Sequence, residues 1–141
     1  MMYPEIFKNA PTKKTPWIFL EPGKIFIMGR SIPENPGGFY KPVIEWISKY
    51  APECNEKIKI DLGFEYINSS STKWIYTIIK EMSGMKGMVL NATATWYYER
   101  GDEYLCELGI IMRSLVDCTF VVVEVEAMNK SRYEKIMSGN K

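Results

Sequence analysis

The chain has 141 residues, with 18 Lys and Arg against 17 Asp and Glu, and its 46% apolar and 13% aromatic content is that of a globular protein rather than a disordered one. A balanced charge without a basic stripe speaks against duplex nucleic acid as a partner. The absence of any histidine removes Ser-His-Asp and Cys-His catalysis, histidine acid-base chemistry and the commonest zinc sites.

Cys54, Cys106 and Cys118 are widely spaced and form no CxxC pair, which fits reduced thiols. The start of the chain has no charged segment leading into an apolar run of secretory length, and no stretch approaches the ~18 apolar residues of a membrane span. The expectation is a cytoplasmic protein with no membrane and no nucleic-acid partner.

In chain order, residues 1–16 carry scattered Lys and Pro with little periodicity and read as a flexible N-terminal arm. Trp17–Leu20 and Ile25–Gly29 read as two strands joined at Glu21-Pro22-Gly23-Lys24, where Pro-Gly supplies the turn. The segment Ser31–Gly38 breaks every period. Phe39, Val43, Trp46, Ile47 and Tyr50 then fall on one helical face, and Pro42, tolerated only in a first turn, sets the helix start near Phe39. That helix is expected to end near Ala51-Pro52.

Ile58–Leu62 alternates with period two and continues through Phe64–Ile67 as the next strand. Asn68-Ser69-Ser70-Ser71-Thr72 stops it, and Trp74 or Ile75, Ile78, Ile79 and Met82 follow at helical spacing up to the stop signals Gly84 and Gly87. Met88–Tyr98 is rich in β-branched and aromatic residues and reads as a strand. Leu105, Leu108, Met112 and Leu115 mark a third helix, and Cys118–Val125 a final strand, followed over 127–141 by a polar tail that can hold a further helix. The order β-β-α-β-α-β-α-β predicts an α/β fold with a central mixed sheet, three main helices and one domain over residues 17–126. Right-handed crossovers place the serine run at the carboxyl edge of the sheet, where binding sites collect.

The simplest role for Asn68–Thr72 is a helix cap. One oxygen suffices for that, whereas five consecutive hydrogen-bonding residues stand here. A helix amino terminus also stabilises phosphate, bound or covalently attached, and phosphorylating one serine adds about −1.5 to −2 of charge. Ser70-Ser71-Thr72-Lys73 matches the S-x-x-K pattern of serine acyl enzymes, with Ser70 as nucleophile and Lys73 as its activator, but the companion S-D-N and K-T-G elements are missing. No nucleotide-binding glycine motif is present. Pro33-Glu34-Asn35-Pro36 reads first as a turn, and Trp96–Glu99 with Asp102 and Glu103 as strand packing and solvated acids. Glu34, Asn35, Tyr97 and Tyr98 are the candidates for a docking surface. Glu99, Asp102 and Glu103 match no metal-binding loop, so neither a metal nor a cofactor is expected.

Several separated segments, taken together, resemble one family. They are Thr15-Pro16, Ser31–Asn35, Phe39–Trp46, Tyr66–Ser71 and Trp96-Tyr97-Tyr98. From about Lys13 to Val125 the chain resembles the SiaC-like regulatory phosphoproteins, formerly a bacterial domain of unknown function, related in fold to STAS anti-sigma-factor antagonists. The resemblance implies a STAS-like regulatory domain and a non-enzymatic switch. A dedicated Ser/Thr kinase phosphorylates the residue after the Asn of the N-[TS]-S-S block, here Ser69, and a PP2C-type phosphatase reverses it. Asn68, Ser70 and Ser71 would then shape the acceptor loop. The resemblance further implies a diguanylate cyclase as a possible partner of the unphosphorylated form, and with it cyclic-di-GMP and biofilm control. A serine acyl enzyme and a passive scaffold are the competing expectations.

Overall fold

A computed structural model of the chain describes residues 5–50, 56–83 and 91–139. Its strands are β1 (Phe7–Asn9), β2 (Trp17–Glu21), β3 (Lys24–Ser31), β4 (Ile58–Ile67), β5 (Ala92–Glu99) and β6 (Thr119–Val125). The helices among these residues are α1 (Pro36–Tyr50), α2 (Ser69–Ser83), α3 (Glu103–Arg113) and α4 (Lys130–Met137). The strands form one mixed sheet in the order β1-β2-β3-β4-β5-β6. β1, β2 and β3 pair antiparallel, and β3 through β6 pair parallel, so α1, α2 and α3 are the crossover helices.

The β2–β3 hairpin forms where the sequence places it. Glu21 pairs with Lys24 across Pro22-Gly23, and Gly23 adopts φ +87°, a conformation open to glycine at little cost. β4 is buried on both faces. Ile58, Ile60, Leu62 and Phe64 join the main core beneath α1, α2 and α3, together with Trp96 of β5. On the opposite face a smaller core gathers Phe26, Met28 and Tyr97 against Met128, Tyr133 and Ile136.

Two expectations change. α1 begins at Pro36, because Asn35 accepts the Gly38 amide at 3.1 Å and Pro36 suits the first helical position. Pro42 therefore sits in the second turn, and its missing N–H leaves the Gly38 carbonyl without the usual helical bond. The segment read as a flexible arm contributes β1, which pairs with β2, and a Thr12–Thr15 turn whose Lys14 carbonyl receives the Ile32 amide at 2.8 Å. The polar tail, for which a helix was one expectation, does form one, α4, capped by Asn129 and seated by Tyr133 and Ile136. Its few apolar side chains face the sheet and its many charged ones face water. The α1 terminus at Ala51-Pro52, Cys54, the Gly84 and Gly87 stops and the beginning of the Met88 strand lie outside the described residues.

Candidate functional site

β3 and β4 run parallel and end together, with Ser31 opposite Ile67. The chain leaves β3 for α1 and β4 for α2 at this same edge, and the Asn68 amide donates to the Ser31 carbonyl at 3.1 Å. Ser31 Oγ also shares a 2.5 Å hydrogen bond with the Tyr40 hydroxyl, buried beneath the junction. Burial pushes the Tyr40 phenol above its ordinary pKa, so the phenol stays protonated and the pair stays hydrogen-bonded. The first turn of α1 lies against α2. A Cβ on Gly37 would stand 3.2 Å from Trp74 Cζ2. The Pro33–Pro36 turn and the serine junction are thus neighbours.

Asn68 caps α2. Its side-chain oxygen accepts the Ser71 amide at 2.8 Å, and its carbonyl accepts both the amide and the hydroxyl of Thr72, at 2.9 and 3.0 Å. The three serines that follow are sorted by helical position. Ser69 and Ser70 are exposed, while Ser71 is fully buried and its hydroxyl has no hydrogen-bond partner among the described residues. No acidic residue stands in the first turn of α2, so the positive end of the helix dipole meets no carboxylate from its own turn. Lys73 is exposed four residues after Ser69, on the same helical face.

The remaining candidates divide. Glu34 is 86% exposed in its side chain and pairs with Lys14 at 3.1 Å; Asn35 is exposed as the α1 cap. Tyr97 is 2% exposed and belongs to the smaller core, with its hydroxyl 3.5 Å from the buried Asp61 carboxylate. It offers no docking surface. Strand alternation turns it inward, and burial, with the Asp61 charge adding to it, pushes its phenol up to about 12. Tyr98 alternates to the other face and is half-buried, lining a cavity of about 260 Å³ with Asp102, Glu103 and Cys106. This cavity lies over β5 and α3, away from the β3–β4 junction. Ser70 and Lys73 are both exposed, and no hydrogen bond joins them.

Sequence reasoning missed three neighbours of the junction. Lys14 belonged to the supposed arm. Tyr66 is 51% exposed, and Arg30 stands over its ring at 5.8 Å. The cause is a bulge. β3 and β4 pair Gly29 with Phe64 but Arg30 with Tyr66, which skips Glu65 and turns Tyr66 outward. Gly29, at φ +136°, was the one available signal.

A family model described as SiaC family regulatory phosphoprotein matches residues 9–125. A Pseudomonas aeruginosa (strain UCBPP-PA14) protein described as uncharacterized is 26% identical over 113 residues, covering 80% of this chain and 86% of its own length. The crystal structure of apo-SiaC from Pseudomonas aeruginosa superposes with a TM-score of 0.75 at 23% identity, over 84% of this chain and 98% of that one. SiaC in a crystal structure of the diguanylate cyclase SiaD with its activator SiaC, from the same organism, gives a TM-score of 0.75 at 24% identity, over 84% and 99%. At these identities the structures establish a shared mixed α/β fold.

Proposed function

The chain belongs to the SiaC family of regulatory phosphoproteins, and from that premise we propose that Ser69 is its phosphorylated residue, with charge at Ser69 deciding which partner docks at the carboxyl edge of the sheet. Membership makes it a partner-binding regulator that acts through other proteins and is not itself an enzyme. The observation that carries the choice of Ser69 is the division of labour in the first turn of α2. Asn68 does the capping, Ser71 is buried, and the Ser69 hydroxyl is exposed and free of structural duty.

A phosphate at this first helical position adds about two negative charges where free amide hydrogens and the helix dipole favour an anion. Lys73 lies one turn further on, within reach of an i,i+4 ion pair. The same phosphate changes the charge of the sheet edge that also carries the Glu34 turn. In this reading a Ser/Thr kinase adds the group, a PP2C-type phosphatase removes it, and both act in the cytoplasm. SiaC from Pseudomonas aeruginosa is the activator of a diguanylate cyclase in its complex, which supports a cyclase as the partner here and cyclic-di-GMP signalling as the output. The exposed Glu34 and Asn35 join the acceptor loop as docking residues, and Tyr98 is left to the α3 cavity.

The test is chemical. The protein purified from its own cells under phosphatase inhibition is digested and the phosphate located by mass spectrometry. Phosphate on Ser69, lost on treatment with a PP2C phosphatase, supports the assignment; phosphate consistently on Ser70 or elsewhere moves the site.

A further inference from the structure

We propose that α4 is a regulatory strap that braces the segment carrying Ser69, so that seating or releasing α4 controls how freely the Ser69 loop moves. The regulatory meaning of the brace rests on the Ser69 reading; the brace itself does not.

The end of β4 is held by few strand pairings. Its pairing with β5 stops at Gly63 opposite Tyr97, so among the described residues Phe64–Ile67 run on with only β3 paired beside them. Even that pairing is interrupted, because the bulge leaves Glu65 without a partner on β3. Four residues before Ser69, the strand therefore has an open side and a break in its ladder. α4 supplies the missing support. The Tyr133 hydroxyl donates a short hydrogen bond to Glu65 Oε2. Burial, with the neighbouring Glu65 adding to it, pushes the Tyr133 phenol far above its ordinary pKa, which keeps it a donor.

The strap is fastened at three further points. The Met128 amide donates to Glu99 Oε1 at 2.8 Å, which ties the beginning of the strap to the end of β5. Met128 lies over Gly63, where any Cβ would come within 2.7 Å of its Cε. Lys24 Nζ donates to the Met137 carbonyl at 2.7 Å and anchors the far end. Glu99 and Glu65 thus hang from adjacent strands and are joined through Met128 and the helix that follows it. The apolar seat is small, since Tyr133 and Ile136 are the buried residues of α4 and Met128 precedes it. A short helix held by few apolar side chains and a handful of polar bonds opens at a lower free energy than the sheet beneath it. The strap also lies beyond the residues 9–125 that the family model matches.

Amide hydrogen exchange on the full chain tests this without any phosphate. Tyr133→Phe removes only the hydroxyl. Exchange across Tyr66–Thr72 is expected to quicken by about threefold or more along with α4, while α3 keeps its protection. If α4 stays as protected as before, Tyr133→Ala, which also empties the ring's seat, is the second variant. Faster exchange confined to residues 128–139 in either variant overturns the proposal, and so does an α4 that neither variant loosens. A failure of Ser69 to carry phosphate would leave this measurement untouched, and a failure here would leave the phosphate mapping untouched.

Discussion

Asn68 Oδ1 receives the Ser71 amide at 2.8 Å, so α2 is capped by the carboxamide and not by any of the serines that follow it. Capping thus falls to Asn68 and leaves the Ser69 hydroxyl free for the modification proposed above. Asn68→Ala is expected to cost about 0.5–2 kcal/mol in denaturant unfolding, whereas Ser69→Ala changes stability by less than about 0.5 kcal/mol. Equal losses from the two substitutions would return the cap to the serine and weaken the case for a free hydroxyl.

Ser71 is fully buried with a hydroxyl that has no hydrogen-bond partner among the described residues. A buried polar group without a partner opposes folding, and removing it relieves that cost. Ser71→Ala is expected to leave stability unchanged or raise it by up to about 1 kcal/mol. A loss beyond about 1 kcal/mol, measured as a shift in urea midpoint at constant slope, would show that the hydroxyl is bonded in solution.

Gly109 reverses the usual helix rule. Ala in place of an interior helical Gly gains about 1 kcal/mol where there is room, but a Cβ here would lie 2.4 Å from Trp96 Cδ1. Trp96 cannot step aside cheaply, being fully buried and donating its indole N–H to the Leu105 carbonyl at 3.0 Å. Gly109→Ala is therefore expected to destabilise by about 1–3 kcal/mol, and a stabilised variant would contradict this packing of α3 on β5.

Tyr40, Tyr97 and Tyr133 all have phenols raised above the ordinary value of 10, chiefly by burial, and that of Tyr97 reaches about 12. A phenol whose pKa is raised on folding holds its proton more tightly in the folded state than in the unfolded one, so its ionisation opposes folding. Below pH 10 the phenol is neutral in both states and its contribution is constant. Above pH 10 the unfolded phenol ionises first, and stability falls until the folded phenol ionises too, near pH 12 for Tyr97. The expected slope is up to about 1.4 kcal/mol per pH unit for each such tyrosine. Thermal melts between pH 9 and about 11 should show the decline beginning near 10, with a shallower decline in Tyr97→Phe. Parallel curves for the two proteins would place Tyr97 in contact with water.

The sheet and its crossover helices were legible because the signals were strong and local. Alternating apolar and polar residues over Ile58–Leu62 mark β4, although its middle is buried on both faces; helical spacing marks the apolar faces of α1, α2 and α3, and Pro22-Gly23 marks a hairpin. The ends were harder to read. Phe7–Asn9 carries no alternation of its own and becomes a strand only because β2 offers an open edge. α4 buries so few residues that its sequence looks polar. The neighbourhood of Ser69 and Glu34 followed from topology alone, since parallel strands that end together deliver their loops to one edge. Tyr97 went astray because a tyrosine at a strand end reads the same whether it faces outward or, as here, into a second core that only α4 completes. The outward turn of Tyr66 depends on a single skipped pairing, for which Gly29 was the sole local clue.

Two versions of the protein, one unmodified and one made with phosphoserine built in at position 69, can be titrated by calorimetry with a diguanylate cyclase from the same cells. The charge switch requires their dissociation constants to differ by about tenfold or more, equivalent to about 1.4 kcal/mol. Dissociation constants that agree within about twofold, with both proteins folded, would mean that charge on Ser69 does not govern this association.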